Sequence, residues 1–159
     1  MSHRLFRRLV VPDRLGEVFD FFKDPYNLEA ITPPWLAFRV LRSSDAVVRL
    51  GTRISYRLRL HGIPLRWESH IAEFVEGESF ADVMLSGPYR RWHHRHSFRE
   101  VPEGVEMLDT VEYALPFGSV GRLAQALVVR RQLETIFDYR AARIAERFPA
   151  GSPHLEVAR

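Results

Sequence analysis

At 159 residues, with 46% hydrophobic and 12% aromatic content, the chain is long enough to bury a core and short enough to do so as one domain. Its net charge of +3, carried by arginine at every basic position except Lys23, does not demand nucleic acid. The absence of cysteine excludes disulfide and thiolate chemistry, no apolar run approaches the roughly 20 residues of a membrane span, and the amino terminus lacks an apolar export segment; the expected location is the cytoplasm.

In chain order, His3 to Val11 alternates as a first strand, and Pro12-Asp13 turns it into a helix with Asp13 as the expected N-cap. Val18, Phe19, Phe21 and Phe22 give that helix an aromatic face. Asp24-Pro25 ends it before a second short helix, Tyr26 to Ile31, which Thr32-Pro33-Pro34 breaks. Six strand-like segments follow: Leu36–Leu41, Thr52–Leu60, Leu65–Val75, Ser79–Leu85, Arg90–Phe98 and Val105–Leu115. The short breaks between them, such as His61-Gly62 and Glu76-Gly77-Glu78, favour antiparallel hairpins over crossovers.

Pro116-Phe117-Gly118 makes a corner, Ser119 is the expected N-cap, and a long helix runs on to Phe148. Its apolar residues form two stripes of different phase, Val120, Leu123, Ala124 and Leu127, then Leu133, Phe137, Ile144 and Phe148. The helix thus changes what it faces, packing on a sheet at one end and covering a cavity at the other. Strand, two short helices, six strands and a long helix make an α+β fold, a curved antiparallel sheet of six to seven strands wrapped around the last helix. Residues 1–148 are expected to form the single domain and 149–159 a flexible tail.

The segments Phe19 to Leu28 (FDFFKDPYNL), Trp67 to Ile71, Gly87 to Phe98 (GPYRRWHHRHSF) and Asp109 to Gly118 (DTVEYALPFG), in this element order, resemble the START-like (SRPBCC) helix-grip superfamily, within it the bacterial cyclase/dehydrase-like, ligand-binding subgroup. The resemblance covers roughly Leu5 to Phe148. It implies a small hydrophobic or amphipathic ligand, lipid or polyketide-like, held between the sheet and the C-terminal helix.

The densest polar cluster is Trp92 to Phe98. On a strand, Trp92, His94, His96 and Phe98 share one face, which the two aromatics mark as inward. The next strand's matching set is Met107, Asp109, Val111 and Tyr113, and Asp82, between Phe80 and Met84 at period two, adds a second inward carboxylate. Three readings stay open. The groups satisfy one another and stiffen the sheet. They orient the polar end of a ligand in an apolar pocket. Or they act, His94 or His96 as general acid or base with Asp109 orienting the ring, in a dehydration or cyclisation. A His-x-His pair plus an acid is compatible with a metal, but no motif anchors a third ligand and none is assigned. No cofactor fingerprint is present.

The expected pocket residues are Trp67, Asp82, Trp92, His94, His96, Phe98, Tyr113, Arg131 and Phe137, with Arg131 at the mouth as the holder of an anionic head group unless it pairs with Glu134. Trp35 and Leu36, beside the proline break, form a lid or an ordinary loop anchor. Arg91, Arg95 and Arg99 place a basic stripe on the convex face; solvated charge explains it, a docking face for a protein partner is the other reading, and it lacks the interleaved aromatics of a nucleic-acid platform. Oligomeric state is not readable from the chain.

Overall fold

The computed structural model describes residues 2–116 and 122–150 of the chain. Strand β1 (His3–Val11) is followed by helix α1 (Leu15–Lys23), then by two 3₁₀ turns at Pro25–Glu29 and Pro34–Leu36. Six strands come next: β2 (Arg39–Ser43), β3 (Arg53–Leu60), β4 (Ile63–Val75), β5 (Ser79–Ser86), β6 (Arg91–Val101) and β7 (Gly104–Ala114). The chain closes with the long helix α2 (Arg122–Arg147). One seven-stranded sheet runs in the order β1-β7-β6-β5-β4-β3-β2, antiparallel throughout. Strands β2 to β7 are thus a meander, and β1 is added at its far edge beside β7.

Local chemistry explains most boundaries. The β3–β4 hairpin turns on His61 and Gly62, both at positive φ (51° and 81°), the type I′ geometry that matches strand twist. Register shifts between Val40 and Arg42, between Glu68 and Ser69, and between Ile71 and Glu73 bend the β2–β5 half of the sheet. Gly104 opens β7 at φ 133°, so close to β1 that a Cβ there would lie 2.2 Å from the Val11 carbonyl oxygen.

Some expected boundaries shift. Asp13 is not the cap of α1: Arg14 holds that position without a side-chain bond, and the Asp13 carboxylate accepts from the Arg14 backbone N–H at 2.7 Å. The second helix is a single 3₁₀ stretch over Pro25–Glu29, capped by Asp24, which accepts from the Tyr26 N–H at 2.9 Å. The strand expected over Leu36–Leu41 begins only at Arg39, because Pro34 sets a 3₁₀ turn and Ala37 takes a left-handed conformation (φ 44°) that redirects the chain. The Ser119 cap, most of the first apolar stripe of the last helix and most of the tail lie outside the described residues or their side chains; Leu127 is exposed.

The concave face carries two apolar clusters. Under α1, Phe19, Phe22, Phe80, Phe98 and Met107 pack with Ile144 and Phe148 from the end of α2. Toward the other end, Leu5, Trp67, Trp92, Val111 and Tyr113 pack with Leu133 and Phe137. Among the described side chains, the buried residues of α2, Leu133, Phe137, Arg140 and Ile144, and Phe148 just after it fall within an arc of roughly 80° at 3.6 residues per turn. One helical face therefore spans both clusters. On the convex side, Arg99 bonds Glu106 at 2.5 Å, Arg8 binds the same carboxylate, and Arg95 pairs with Glu73. The basic stripe is in that measure matched by acids.

Candidate functional site

The seam between the two clusters is polar, and the antiparallel register builds it. Asp82 of β5 stands directly opposite His94 of β6, and His96 of β6 directly opposite Asp109 of β7. All four side chains point to the concave face, as the period-two reading expects. His94 Nε2 lies 3.1 Å from Asp109 Oδ1, and His94 Nδ1 lies 3.5 Å from Asp82 Oδ2. His96 Nδ1 is 2.6 Å from the same Asp109 oxygen, but off the line of an aligned hydrogen bond, so this is a close polar approach and not a directional bond. The two imidazoles sit with centroids 4.0 Å apart. His96 touches Phe80 and Phe22 of one cluster; His94 meets Phe137 edge-on in the other.

Burial and charge sort these groups by protonation. Burial lowers the His94 imidazole to about 3, reinforced by repulsion from His96 and only partly offset by Asp109. Burial alone would raise Asp109, but His96 and the contacts from both rings hold it well below the usual carboxylate range. Asp82 goes the other way: burial pushes its carboxyl up to about 6, against the attraction of His96, Arg140 and His93. An ionised Asp109 can only accept, so the His94 tautomer follows. Its Nε2 carries the hydrogen and its Nδ1 is bare toward Asp82.

This polar seam forms the floor of a cavity of about 160 Å³ between the sheet and α2, partly open to solvent. Asp82, His94 and His96 line it together with Trp67, Trp92 and Phe137. Further walls come from β3 (Ile54, Tyr56, Leu58), from Leu36 and Phe38 after the proline break, and from Tyr89 in the β5–β6 turn. Trp35 itself stays more than half exposed and packs edge-on against Tyr139 of α2, with ring centroids 5.6 Å apart. The 3₁₀ turn at Pro34–Leu36 thus bridges sheet and helix beside the cavity.

The remaining expected pocket residues lie elsewhere. Phe98 is buried against Phe19, Phe22 and Phe80, outside the cavity wall. Tyr113 is buried behind the cavity, stacked with His3 and edge-on to Tyr89. Arg131 is exposed, because it sits two residues before buried Leu133 and hence about 200° around the helix. The arginine that lines the cavity is Arg140, buried on the face shared with Phe137 and Ile144, its guanidinium 4.9 Å from the Phe137 ring centre. Sequence reasoning passed over it. The signal was the gap of seven between Phe137 and Ile144 in the apolar stripe, whose vacant inward position is 140.

Among the described residues, Asp82, His94 and His96 are the group able to offer a metal one ligand atom each, within 4.8 Å of one another. Two imidazoles and a carboxylate suit a divalent first-row ion. Working against it, Asp109 engages one nitrogen of each ring and the Arg140 charge lines the same cavity. Among the described residues no helix is long and apolar enough to cross a membrane.

Comparison with known proteins agrees with this architecture. No curated protein matches the sequence. Among solved structures, the protein TTHA0849 from Thermus thermophilus is 20% identical, covering 92% of this chain and 99% of its own, with a TM-score of 0.63. Major latex-like protein 151 from Panax ginseng superposes with a TM-score of 0.67 at 12% identity, over 93% of this chain and 98% of that one. The di-domain ARO/CYC StfQ of the steffimycin biosynthetic pathway gives 0.73 at 13% identity; 93% of this chain matches 50% of that protein. These likenesses share the helix-grip fold. A family description, polyketide cyclase / dehydrase and lipid transport, matches residues 11–137, and the chain belongs to that family.

Proposed function

We propose that the chain binds a small, largely apolar molecule in the cavity between sheet and α2, with the polar end of the molecule against Asp82, His94 and His96. One observation carries this reading: a cavity walled by two apolar clusters with a buried polar patch, Asp82, His94 and His96, at their seam. Apolar walls supply affinity and a few fixed polar groups supply orientation. The size limits the ligand. A cavity of about 160 Å³ resembles the roughly 150 Å³ that accommodates a single benzene ring. A lipid or polyketide of several rings would seat one end there and extend through the open side. The test is native mass spectrometry of protein purified from its own host, gentle against denaturing. A stoichiometric passenger of low polarity supports the reading; a protein that is empty and also fails to take up single-ring aromatics in titration removes it.

A second reading, acid-base turnover in a dehydration or cyclisation, draws on the opposed protonation of Asp82 and His94. A carboxyl that holds its proton to about pH 6 faces a bare imidazole nitrogen at 3.5 Å, and Asp109 fixes the ring. Any identified passenger incubated with the protein decides between the two. Product formed by the wild type and lost in His94→Ala supports chemistry, and an unchanged passenger supports binding alone.

A further inference from the structure

Arg140 is a feature of the cavity that neither sheet stiffening nor apolar binding explains. It projects from the inward face of α2, is 9% exposed, and lines the cavity. Its Nε and Nη1 atoms are buried without hydrogen-bond partners. Among the described residues no carboxylate forms an ion pair with it; Asp109, Asp82 and Tyr56 act on it only through their fields, while burial weakens its hold on the proton. Asp109 is already engaged by both histidines. A buried guanidinium with idle donors is costly, because its lost hydration is not replaced. Trp67, in the same cavity wall, also has a buried indole N–H without a partner. The wall therefore presents surplus donors, and what they lack is an acceptor.

We propose that Arg140 is the seat of an anionic head group, so that the ligand is a carboxylic acid with an apolar, single-ring-sized body. This deepens the binding reading and rests on it. Asp82 and Asp109 already bring negative charge to the cavity floor, so a singly charged ligand is favoured over a phosphate dianion, and a carboxylate can take two guanidinium donors at once. The apolar body then lies against Phe137 and Trp92, and the carboxylate stands at Arg140 on the α2 side of the cavity.

The test is calorimetric titration at neutral pH with a matched pair of probes, trans-cinnamate and its neutral isostere trans-cinnamamide. Cinnamate is expected to bind tighter by about tenfold or more, with the preference lost in Arg140→Gln and kept in Arg131→Gln. Arg140→Lys, which keeps the charge without the fork, is expected to retain part of the preference. In the absence of probe, Arg140→Gln is expected to melt no lower than the wild type, since it removes an unmatched charge; a lower melting temperature would make Arg140 a structural counter-ion and overturn the proposal. Equal affinity for the two probes would overturn the anion seat and leave cavity binding intact, as would a preference that survives Arg140→Gln. Binding of neither probe would remove the cavity reading, and the anion seat with it.

Discussion

His96 and Asp109 face each other across the β6–β7 ladder, and the Asp109 oxygen that His96 approaches at 2.6 Å is the one His94 reaches from two residues away at 3.1 Å. One buried carboxylate thus anchors both rings. Replacing it by an amide keeps the shape but removes the ionised acceptor toward which both rings turn. Asp109→Asn is expected to cost about 3 kcal/mol of folding stability, measured by urea denaturation, with the cavity-lining histidines losing their fixed tautomer. A loss below about 1 kcal/mol would mean that the rings do not depend on Asp109.

The pH dependence of stability carries two opposing contributions. His94 titrates at about 3 when folded against 6.5 when free, so between those values the unfolded chain binds the extra proton and stability rises with pH. Asp82 titrates at about 6 against 3.8, so between those values the folded chain binds the extra proton and stability falls with pH. In the shared window, from about pH 4 to 6, the two cancel. Asp82→Asn removes one side. That variant is expected to lose stability on acidification through this window at a slope steeper than the wild type by about 1.4 kcal/mol per pH unit, read from melting at stepped pH. A slope identical to the wild type would show that the Asp82 shift is absent.

The concave floor was legible in the sequence because a strand's alternation is rigid: two aromatics bracketing His94 and His96 fix the face of all four side chains. Asp109 and Asp82 followed from the same period on the neighbouring strands. The second stripe of α2 was legible for a similar reason, with Leu133, Phe137, Ile144 and Phe148 all buried. Arg140 was not, because a charged residue in an inward slot reads as a break in the stripe, and its burial depends on a cavity that exists only in three dimensions. Nor could alternation separate the cavity wall from the packed core: Trp92 and Phe98 share a face of β6, yet α1 closes over Phe98 and leaves Trp92 lining the space. Helix starts and the first short strand moved because single turn residues, Arg14 and Ala37, decide them.

Trp35 packs on Tyr139 while its neighbour Leu36 lines the cavity. Cutting this clasp is expected to alter exchange more than folding. Trp35→Ala should change stability by about 1 kcal/mol or less, given its exposure, but speed probe dissociation several-fold in stopped-flow measurements. Unchanged dissociation would assign the turn a purely structural role.

Gly104 admits no side chain. At φ 133°, with the Val11 carbonyl 2.2 Å from the place a Cβ would take, Gly104→Ala must shift backbone rather than a flexible side chain. The expected loss is about 3 kcal/mol or more, against near-neutrality for Gly16→Ala, where nothing lies within 4 Å. Equal melting temperatures for the two variants would contradict the close approach.

The pairing of β1 with β7 ties His3 to Tyr113, the first strand of the sheet to the last. During synthesis β2 through β7 can zip hairpin by hairpin, each new strand meeting the one just made. The first strand meanwhile waits through most of translation with no edge to join, and the open edge of β7 is covered only when that long loop closes. Sheet closure is therefore a late, slow, sequence-distant event, and the interval before it is when the nascent chain is most exposed to pairing with a neighbour's strand instead of its own.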